Sequence, residues 1–195
     1  MATLTDQIQS LLQGGGAEQL SSRLGIDSGT LATVAQTALP AIIGALSHNT
    51  REPQGAESLS TALRNDHDGS ILDNLGGLLG GAGNGAGILG HLFGARREAV
   101  EEEVGRSTGI DAATVGKVLV TLAPLVMGWL GKQQRAQNLD AQGVGQVVQQ
   151  EHAELQKQDT GGLLGRFSSL LDSNNDGSVM DDVARIGGSL LGRTK

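Results

Sequence analysis

An internal repeat limits the folds open to this chain of 195 residues more than any other feature of its sequence. Residues 24–46 align with residues 108–130 at an offset of 84 without a gap. Nine of the 23 aligned positions are identical, where roughly two are expected from ordinary residue usage. The identical pairs are Gly25/Gly109, Ile26/Ile110, Asp27/Asp111, Thr30/Thr114, Val34/Val118, Thr37/Thr121, Pro40/Pro124, Gly44/Gly128 and Leu46/Leu130. The sequence therefore predicts two related structural units.

Each copy of the repeat begins with a Gly-Ile-Asp triplet, which predicts a joint between two helices. Gly25 and Gly109 suit the left-handed residue just past a helix, because glycine adopts a positive φ without steric cost. Asp27 and Asp111 suit the N-cap of the next helix, where a carboxylate accepts hydrogen bonds from unpaired backbone N–H groups. We therefore interpret both aspartates as caps and not as catalytic groups.

The residues after each joint carry apolar side chains at helical spacing. In the second copy this stripe consists of Val115, Val118, Leu119, Leu122, Leu125, Val126, Trp129 and Leu130. Pro40 and Pro124 lie within the stripes, and each is expected to kink its helix or to begin a new one, because proline lacks the N–H group. The sequence has no convincing alternation of period two, so the predicted fold class is all-α.

The predicted organisation is two tandem, internally duplicated helical units joined by a glycine-rich linker. The first helical repeat spans residues 1–75, the linker 76–94 and the second repeat 95–158. Residues 159–195 are predicted to form a helix–loop–helix of the EF-hand type. The linker contains a glycine pattern typical of dinucleotide sites, but the strand that must precede such a site is missing.

Composition and charge narrow the functional classes. A net charge of −7 argues against a nucleic-acid partner, and the absence of cysteine excludes disulfides, zinc thiolates and a cysteine nucleophile. The N-terminus lacks the basic and apolar regions of a signal peptide. The longest apolar run, residues 118–130, is too short for a membrane span. We therefore expect a cytoplasmic protein without a membrane span.

One constellation near the C-terminus carries metal-ligand chemistry. Residues 172–179 read D-x-N-x-D-G-x-V, which is the first two thirds of an EF-hand calcium loop. The bidentate glutamate expected at loop position 12 is replaced by Val183, so the affinity should fall toward roughly 10⁻⁴–10⁻³ M. The predicted calcium ligands are Asp172, Asn174, Asp176, the carbonyl of Ser178 and, in place of the missing glutamate, Asp182.

A structural interpretation of the same loop stays open. Asn174 and Asp176 could form Asx turns, and Ser178 with Asp181 could form a capping box for a last helix. A degraded copy of the loop lies 108 residues upstream, at residues 66–71. Its first ligand position is an arginine, so we predict that the upstream copy is a capped turn and not a metal site.

Several motifs together resemble one bacterial family. They are the repeated G-I-D-x-x-x-[LV], the A-L-P and A-P-L-V-M-G-x-L segments, the I-L-G-H-L-F-G stretch at residues 88–94 and the closing D-G-S-V-M-D-D-V. Over nearly the whole chain these motifs resemble the YidB-like family, bacterial domain of unknown function 937. The resemblance implies an all-helical bacterial protein without an established enzymatic activity, and it supplies no catalytic residues.

The first functional hypothesis is a non-enzymatic helical scaffold that associates with itself as a homo-oligomer and carries a weak calcium-binding loop. The sequence identifies no catalytic residues, no small-molecule substrate and no cofactor other than calcium. Two alternatives remain at this point: a dedicated calcium-binding protein, and a DNA-binding helix-turn-helix protein built on the Gly-Ile-Asp joint.

The calcium loop is tested by titration calorimetry of the wild type and of the double variant Asp172→Ala/Asp176→Ala. We expect the wild type to release heat with a dissociation constant of roughly 10⁻⁴–10⁻³ M, and the double variant to release none. Absence of heat at millimolar calcium, or equal heat in the two proteins, would remove calcium from the hypothesis.

Overall fold

The computed structural model describes residues 3–11, 16–72, 84–159 and 162–171. Within these ranges the chain consists of α-helices, two short 3₁₀ turns at Ser70–Leu72 and Gly94–Arg96, and loops, without a strand. The all-α prediction is confirmed for this part of the chain. The helices are α1 Leu4–Leu11, α2 Ala17–Leu24, α3 Ser28–Asn49, α4 Pro53–Asn65, α5 Gly85–Phe93, α6 Arg97–Thr108, α7 Ala112–Gln137, α8 Ala141–Gln158 and α9 Leu163–Leu171.

Both Gly-Ile-Asp joints have the predicted local geometry. Gly25 follows α2 with a φ of 71°, and Gly109 follows α6 with a φ of 74°. The side chain of Asp27 caps α3 and that of Asp111 caps α7; each carboxylate accepts a backbone N–H from three residues ahead at 2.9 Å. The same three residue types therefore produce the same helix–helix joint at two places in the chain.

Neither repeated proline begins a new helix, because α3 runs through Pro40 and α7 runs through Pro124. Each proline leaves the carbonyl four residues earlier without its helical N–H partner. For Pro40 this carbonyl belongs to the exposed Gln36. For Pro124 it belongs to Val120, and the first residue of α5 packs against it.

This contact between α5 and α7 requires glycine. A Cβ atom built on Gly85 would lie 1.8 Å from the carbonyl oxygen of Val120. No side chain larger than hydrogen fits at that distance, so only glycine lets the two backbones approach this closely. The contact places the start of α5 over the carbonyl that Pro124 leaves unpaired.

The prediction that residues 76–94 form a linker is wrong for their second part. Residues 85–93 are the helix α5, and its apolar side chains are buried in the core. Ile88, Leu89, Leu92 and Phe93 recur at helical spacing and form one buried face. High glycine content suggested flexibility, but here it serves close packing. Residues 73–83, which include the rest of the predicted linker, lie outside the described residues.

The two predicted repeats contribute to one continuous hydrophobic core. Helix α4, from the first repeat, packs against α7 and α8, whereas α9, near the C-terminus, packs against α3 and α6. Ser47 of α3 and Gln149 of α8 add two hydrogen bonds across the halves: Ser47 Oγ to Gln149 Oε1 at 2.9 Å, and Gln149 Nε2 to the Ser47 carbonyl at 2.7 Å. The boundaries at residues 75, 94 and 158 therefore remain a prediction about repeats, and the packing does not follow them.

Two helices of the described chain, α3 and α7, are long and apolar enough to cross a membrane by length and composition alone. Their most hydrophobic windows are 61% and 78% buried within the protein, respectively. Core helices of soluble proteins pass the same test, so this observation is weak support for membrane insertion.

The role of glycine in docking α5 is tested by comparing two substitutions in the same helix. Gly85→Ala should lower the free energy of unfolding by about 1–3 kcal/mol, because the new methyl group overlaps the Val120 carbonyl. Gly90→Ala is the matched control: a Cβ there meets nothing within 4 Å, and alanine favours the helix by up to about 1 kcal/mol. Urea denaturation followed by circular dichroism measures both. Equal effects of the two substitutions would contradict this account of the α5–α7 contact.

Candidate functional site

The five predicted calcium ligands lie outside the described residues. They are Asp172, Asn174, Asp176, Ser178 and Asp182, and all follow the end of α9. The calcium loop therefore stays a prediction. Two described segments are related to this loop: the helix α9 that leads into it, and the upstream copy of the loop at residues 66–71.

The helix that leads into the predicted loop is firmly anchored. Leu163–Leu171 is helical, as the sequence predicts for the segment before the loop. Leu164 and Phe167 are buried, and a Cβ built on Gly44 of α3 would lie 3.9 Å from Leu164 Cδ2. The Asp159 carboxylate accepts the backbone N–H groups of Leu163 at 3.0 Å and of Leu164 at 2.8 Å. The predicted loop thus begins at a helix end that is held against the core.

The upstream counterpart of the loop is a capped turn, as predicted. The Asp68 carboxylate accepts the backbone N–H of Ser70 at 3.0 Å and the Ser70 hydroxyl at 2.5 Å. Its second oxygen lies 3.5 Å from Arg135 Nη1, and the Arg135 guanidinium also donates to the carbonyls of Asp68 and Arg64. The two Ser70 hydrogen bonds are the main reason why the pKa of Asp68 lies below its ordinary value, and Arg135 adds to the effect.

The turn is docked on α7 through glycine contacts. A Cβ on Gly131 would lie 1.7 Å from the carbonyl oxygen of His67, and a Cβ on Gly128 would lie 2.5 Å from Ile71 Cγ2. Gly69 itself has a φ of +90°, which favours glycine. Burial is the main cause that lowers the pKa of His67. The upstream D-G-S segment is therefore a structural turn that follows α4 in the chain and packs against α7.

The described residues contain no group of three or more His, Asp or Glu side chains arranged to hold a metal ion. In the upstream turn the oxygens of Asp68 face Ser70 and Arg135, which leaves this carboxylate committed to the turn. The predicted calcium ligands therefore remain those of the C-terminal loop.

A buried acid that the sequence analysis missed is Glu151 on α8. Its residue surface is 8% exposed, and its Oε2 accepts the backbone N–H of Leu4 at 3.0 Å. Leu4 and Ile8 of α1 are themselves buried. Burial raises the pKa of Glu151, the hydrogen bond from Leu4 lowers it, and the nearby charges of Asp6 and Glu154 raise it further. Glu151 therefore ties the first turn of α1 to the rest of the protein.

The sequence did contain a signal for this acid. Glu151 follows Val144 and Val148 at spacings of seven and three, and Leu155 comes four residues later. This spacing places a carboxylate on the apolar face of the helix. A charge on such a face is rarely left without a partner, because its desolvation is costly. The partner itself, a backbone N–H almost 150 residues away, is visible only in the folded structure.

Comparison with known proteins identified one family. A profile described as "Bacterial protein of unknown function (DUF937)" matches residues 6–133. The match covers the two Gly-Ile-Asp joints, both prolines and α5, whereas α8, α9 and the predicted calcium loop lie beyond it. A search of curated proteins found no match, and neither did a search of solved structures.

The buried acid predicts a specific dependence of stability on pH. Because the pKa of Glu151 is raised in the folded state, the folded protein holds this proton more tightly than the unfolded chain does. The stabilisation is fully present below the ordinary pKa of 4.5 and is lost as the pH rises through the raised pKa. Glutamine can still accept the Leu4 N–H but carries no charge. We therefore expect Glu151→Gln to gain stability relative to the wild type as the pH rises from about 4.5 to 7.

Urea denaturation across this pH range measures the difference in the free energy of unfolding. Glu57→Gln, on the exposed face of α4, is the control that removes one carboxylate without removing a buried one. A difference between Glu151→Gln and wild type that does not change with pH, or that shrinks as the pH rises, would contradict the assignment.

Proposed function

The chain belongs to the family of bacterial proteins of unknown function (DUF937), and from this premise we propose that it is a non-enzymatic helical scaffold that associates with further copies of itself. The observation that carries the proposal is the reciprocal packing of helices between the first half of the chain, with helices α1 to α4, and the second half, with helices α5 to α9. A weak calcium-binding loop at residues 172–183 is the second part of the proposal.

The reciprocal packing is best described through equivalent helices. The offset of 84 relates α3 to α7, and the offset of 108 between the two D-G-S segments relates α4 to α9. Helix α4 packs on α7, and α9 packs on α3. Each half therefore places its terminal helix on the long helix of the other half. This relation, together with the two matching joints, supports an origin by internal duplication.

Exchange of the two halves between copies of the chain is a route to self-association. Contacts between α4 and α7, or between α9 and α3, remain the same when the two halves come from different copies of the chain. Domain swapping is a low-cost way to form dimers, because the swapped contacts already exist in the monomer. The connection between the halves, residues 73–84, contains five glycines, and glycine-rich segments adopt alternative paths at a low conformational cost.

The helix-turn-helix alternative is disfavoured by packing. The helices that follow the Gly-Ile-Asp joints, α3 and α7, would be the recognition helices of such a motif. Both are core helices, and the fully buried Val34 and Val118 lie at equivalent positions in them. A recognition helix needs an exposed face for the major groove, and the net charge of −7 opposes binding to phosphates.

Calcium binding is supported by the ligand pattern of the loop and by the anchored helix α9 before it. The dedicated calcium-binding protein remains the alternative. The calorimetric comparison of wild type with Asp172→Ala/Asp176→Ala separates the two ideas when it is combined with size measurement. Association that does not depend on calcium supports the scaffold, whereas a monomer that binds calcium supports the alternative.

A cytoplasmic location also forms part of the proposal. It is supported by the burial of the two hydrophobic windows in α3 and α7. Those windows serve the core of the protein, so their hydrophobicity has an explanation that does not need a membrane.

Exchange between copies is tested by a pair of engineered cysteines, since the chain has none of its own. The Cβ of Ala56 on α4 lies 3.9 Å from the position of a Cβ on Gly145 of α8, which falls within the roughly 3.5–4.5 Å typical of disulfides. After oxidation of Ala56→Cys/Gly145→Cys, we expect a covalent dimer on a denaturing non-reducing gel, formed from the fraction of molecules that exchanges halves. Light scattering of the wild type at several concentrations, with and without calcium, gives the size in solution.

Gly145→Cys alone is the matched control, because it presents a thiol at the same place without the facing one. A wild type that is strictly monomeric in light scattering, with and without calcium, would overturn self-association. Oligomers in light scattering together with only intramolecular disulfides would retain self-association and reject exchange as its mechanism.

A further inference from the structure

A cleft of about 810 Å³ opens beside the α5–α7 contact. The end of α2, the start of α5, the start of α6 and the first half of α7 form its walls. Its size lies within the roughly 300–1,000 Å³ of small-molecule pockets. All of its described lining residues belong to one chain, so ligand binding there does not depend on self-association.

The charges around the cleft are opposite in sign to those of the protein as a whole. The chain has 21 acidic and 14 basic residues, apart from histidine. Among the described residues, the lining of the cleft has three cations, Arg23, Arg97 and Lys117, and one carboxylate, that of Glu101. Positive charges therefore outnumber negative ones among the described lining residues, and such an excess favours an anionic ligand.

The Glu101 carboxylate holds one of these cations in place. Glu101 Oε1 lies 2.7 Å from Arg97 Nε, and the two side chains are 15% and 33% exposed, respectively. Gly116 on α7 makes room for this pair, because a Cβ there would lie 3.0 Å from Glu101 Oε1. The contact with Glu101 engages Nε of Arg97, and a guanidinium carries further N–H donors on its two terminal nitrogens, which suit a carboxylate or phosphate. Glu101 is therefore a positioning residue for Arg97.

The rest of the lining is largely apolar. Leu24 from α2 and Val120 and Pro124 from α7 contribute to it. Sites for small molecules commonly combine such apolar walls with a few polar groups that fix orientation. The chemistry of this cleft therefore suits a molecule with an anionic head and an apolar body.

We infer that the cleft binds organic anions of this type, with a carboxylate or phosphate group near Arg97 and Lys117 and an aliphatic body along Leu24, Val120 and Pro124. The sequence alone identifies no small-molecule ligand, because the four contributing helices meet only in the folded chain. Glycines at positions 85 and 116 are part of the reason why they meet so closely.

The inference is tested with three probes of equal chain length: octanoate, octyl phosphate and the uncharged 1-octanol. Titration of the full-length protein is followed by calorimetry and by the methyl NMR signals of Leu24 and Val120. We expect at least one of the two anions to bind and to shift these signals, and 1-octanol to bind at least about tenfold more weakly, because it lacks charge-assisted hydrogen bonds. The stronger of the two anions identifies the head group.

Lys117→Gln keeps the length of an exposed side chain and should weaken binding of the preferred anion about tenfold. Arg97→Gln should do the same, and Lys132→Gln, an exposed lysine of α7 away from the cleft, is the matched control with unchanged binding. Thermal unfolding of each variant verifies that the fold is retained. The inference would be overturned if neither anion binds at about 10 mM. It would also be overturned if 1-octanol binds as tightly as the preferred anion, or if Lys117→Gln and Lys132→Gln bind that anion equally well.

Discussion

Close approach of backbones through glycine is the constraint on which the rest of this structure depends. The chain has 2% aromatic residues, so it has few large side chains with which to fill the space between helices. Instead, backbone meets backbone: a Cβ would lie 1.8 Å from a carbonyl oxygen at Gly85, 1.7 Å at Gly131 and 1.8 Å at Gly55. Protein interiors are closely packed. Here glycine lets backbones come into direct contact, and these contacts fill space that large aromatic side chains fill in other cores.

Helix α7 is where most of these approaches converge, and its proline explains one of them. Pro124 leaves the Val120 carbonyl without a helical partner, and Gly85 removes the side chain that would keep α5 away from it. The two residues are therefore complementary, although neither is unusual alone. The same contact places the start of α5 beside α7, where Val120 and Pro124 form part of the wall of the basic cleft. A feature of packing thus shapes the surface on which a ligand is proposed to bind.

Sequence reasoning succeeded where one short segment contains the whole physical cause. The Asp27 and Asp111 caps and the left-handed glycines before them need only a few neighbouring residues, and the structure has them as predicted. The prediction of a linker was wrong over residues 85–93, where it rested on glycine content alone. Glycine allows flexibility in an exposed chain, but it also allows close packing in a core. The spacing of Glu151 on the apolar face of α8 was a local signal that was overlooked, whereas its partner, the Leu4 N–H, could not be found from the sequence because it is distant along the chain.

The sequence by itself determined the helical class, the two matching joints and membership of a bacterial family, because helix periodicity, caps and repeats are local properties of the chain. Only the tertiary structure decided that the halves share one core, with α4 on α7 and α9 on α3, and that three cations from α2, α6 and α7 line one cleft. Such arrangements depend on which helix faces come together. Small residues permit many close approaches, and the burial of the whole apolar surface selects among them.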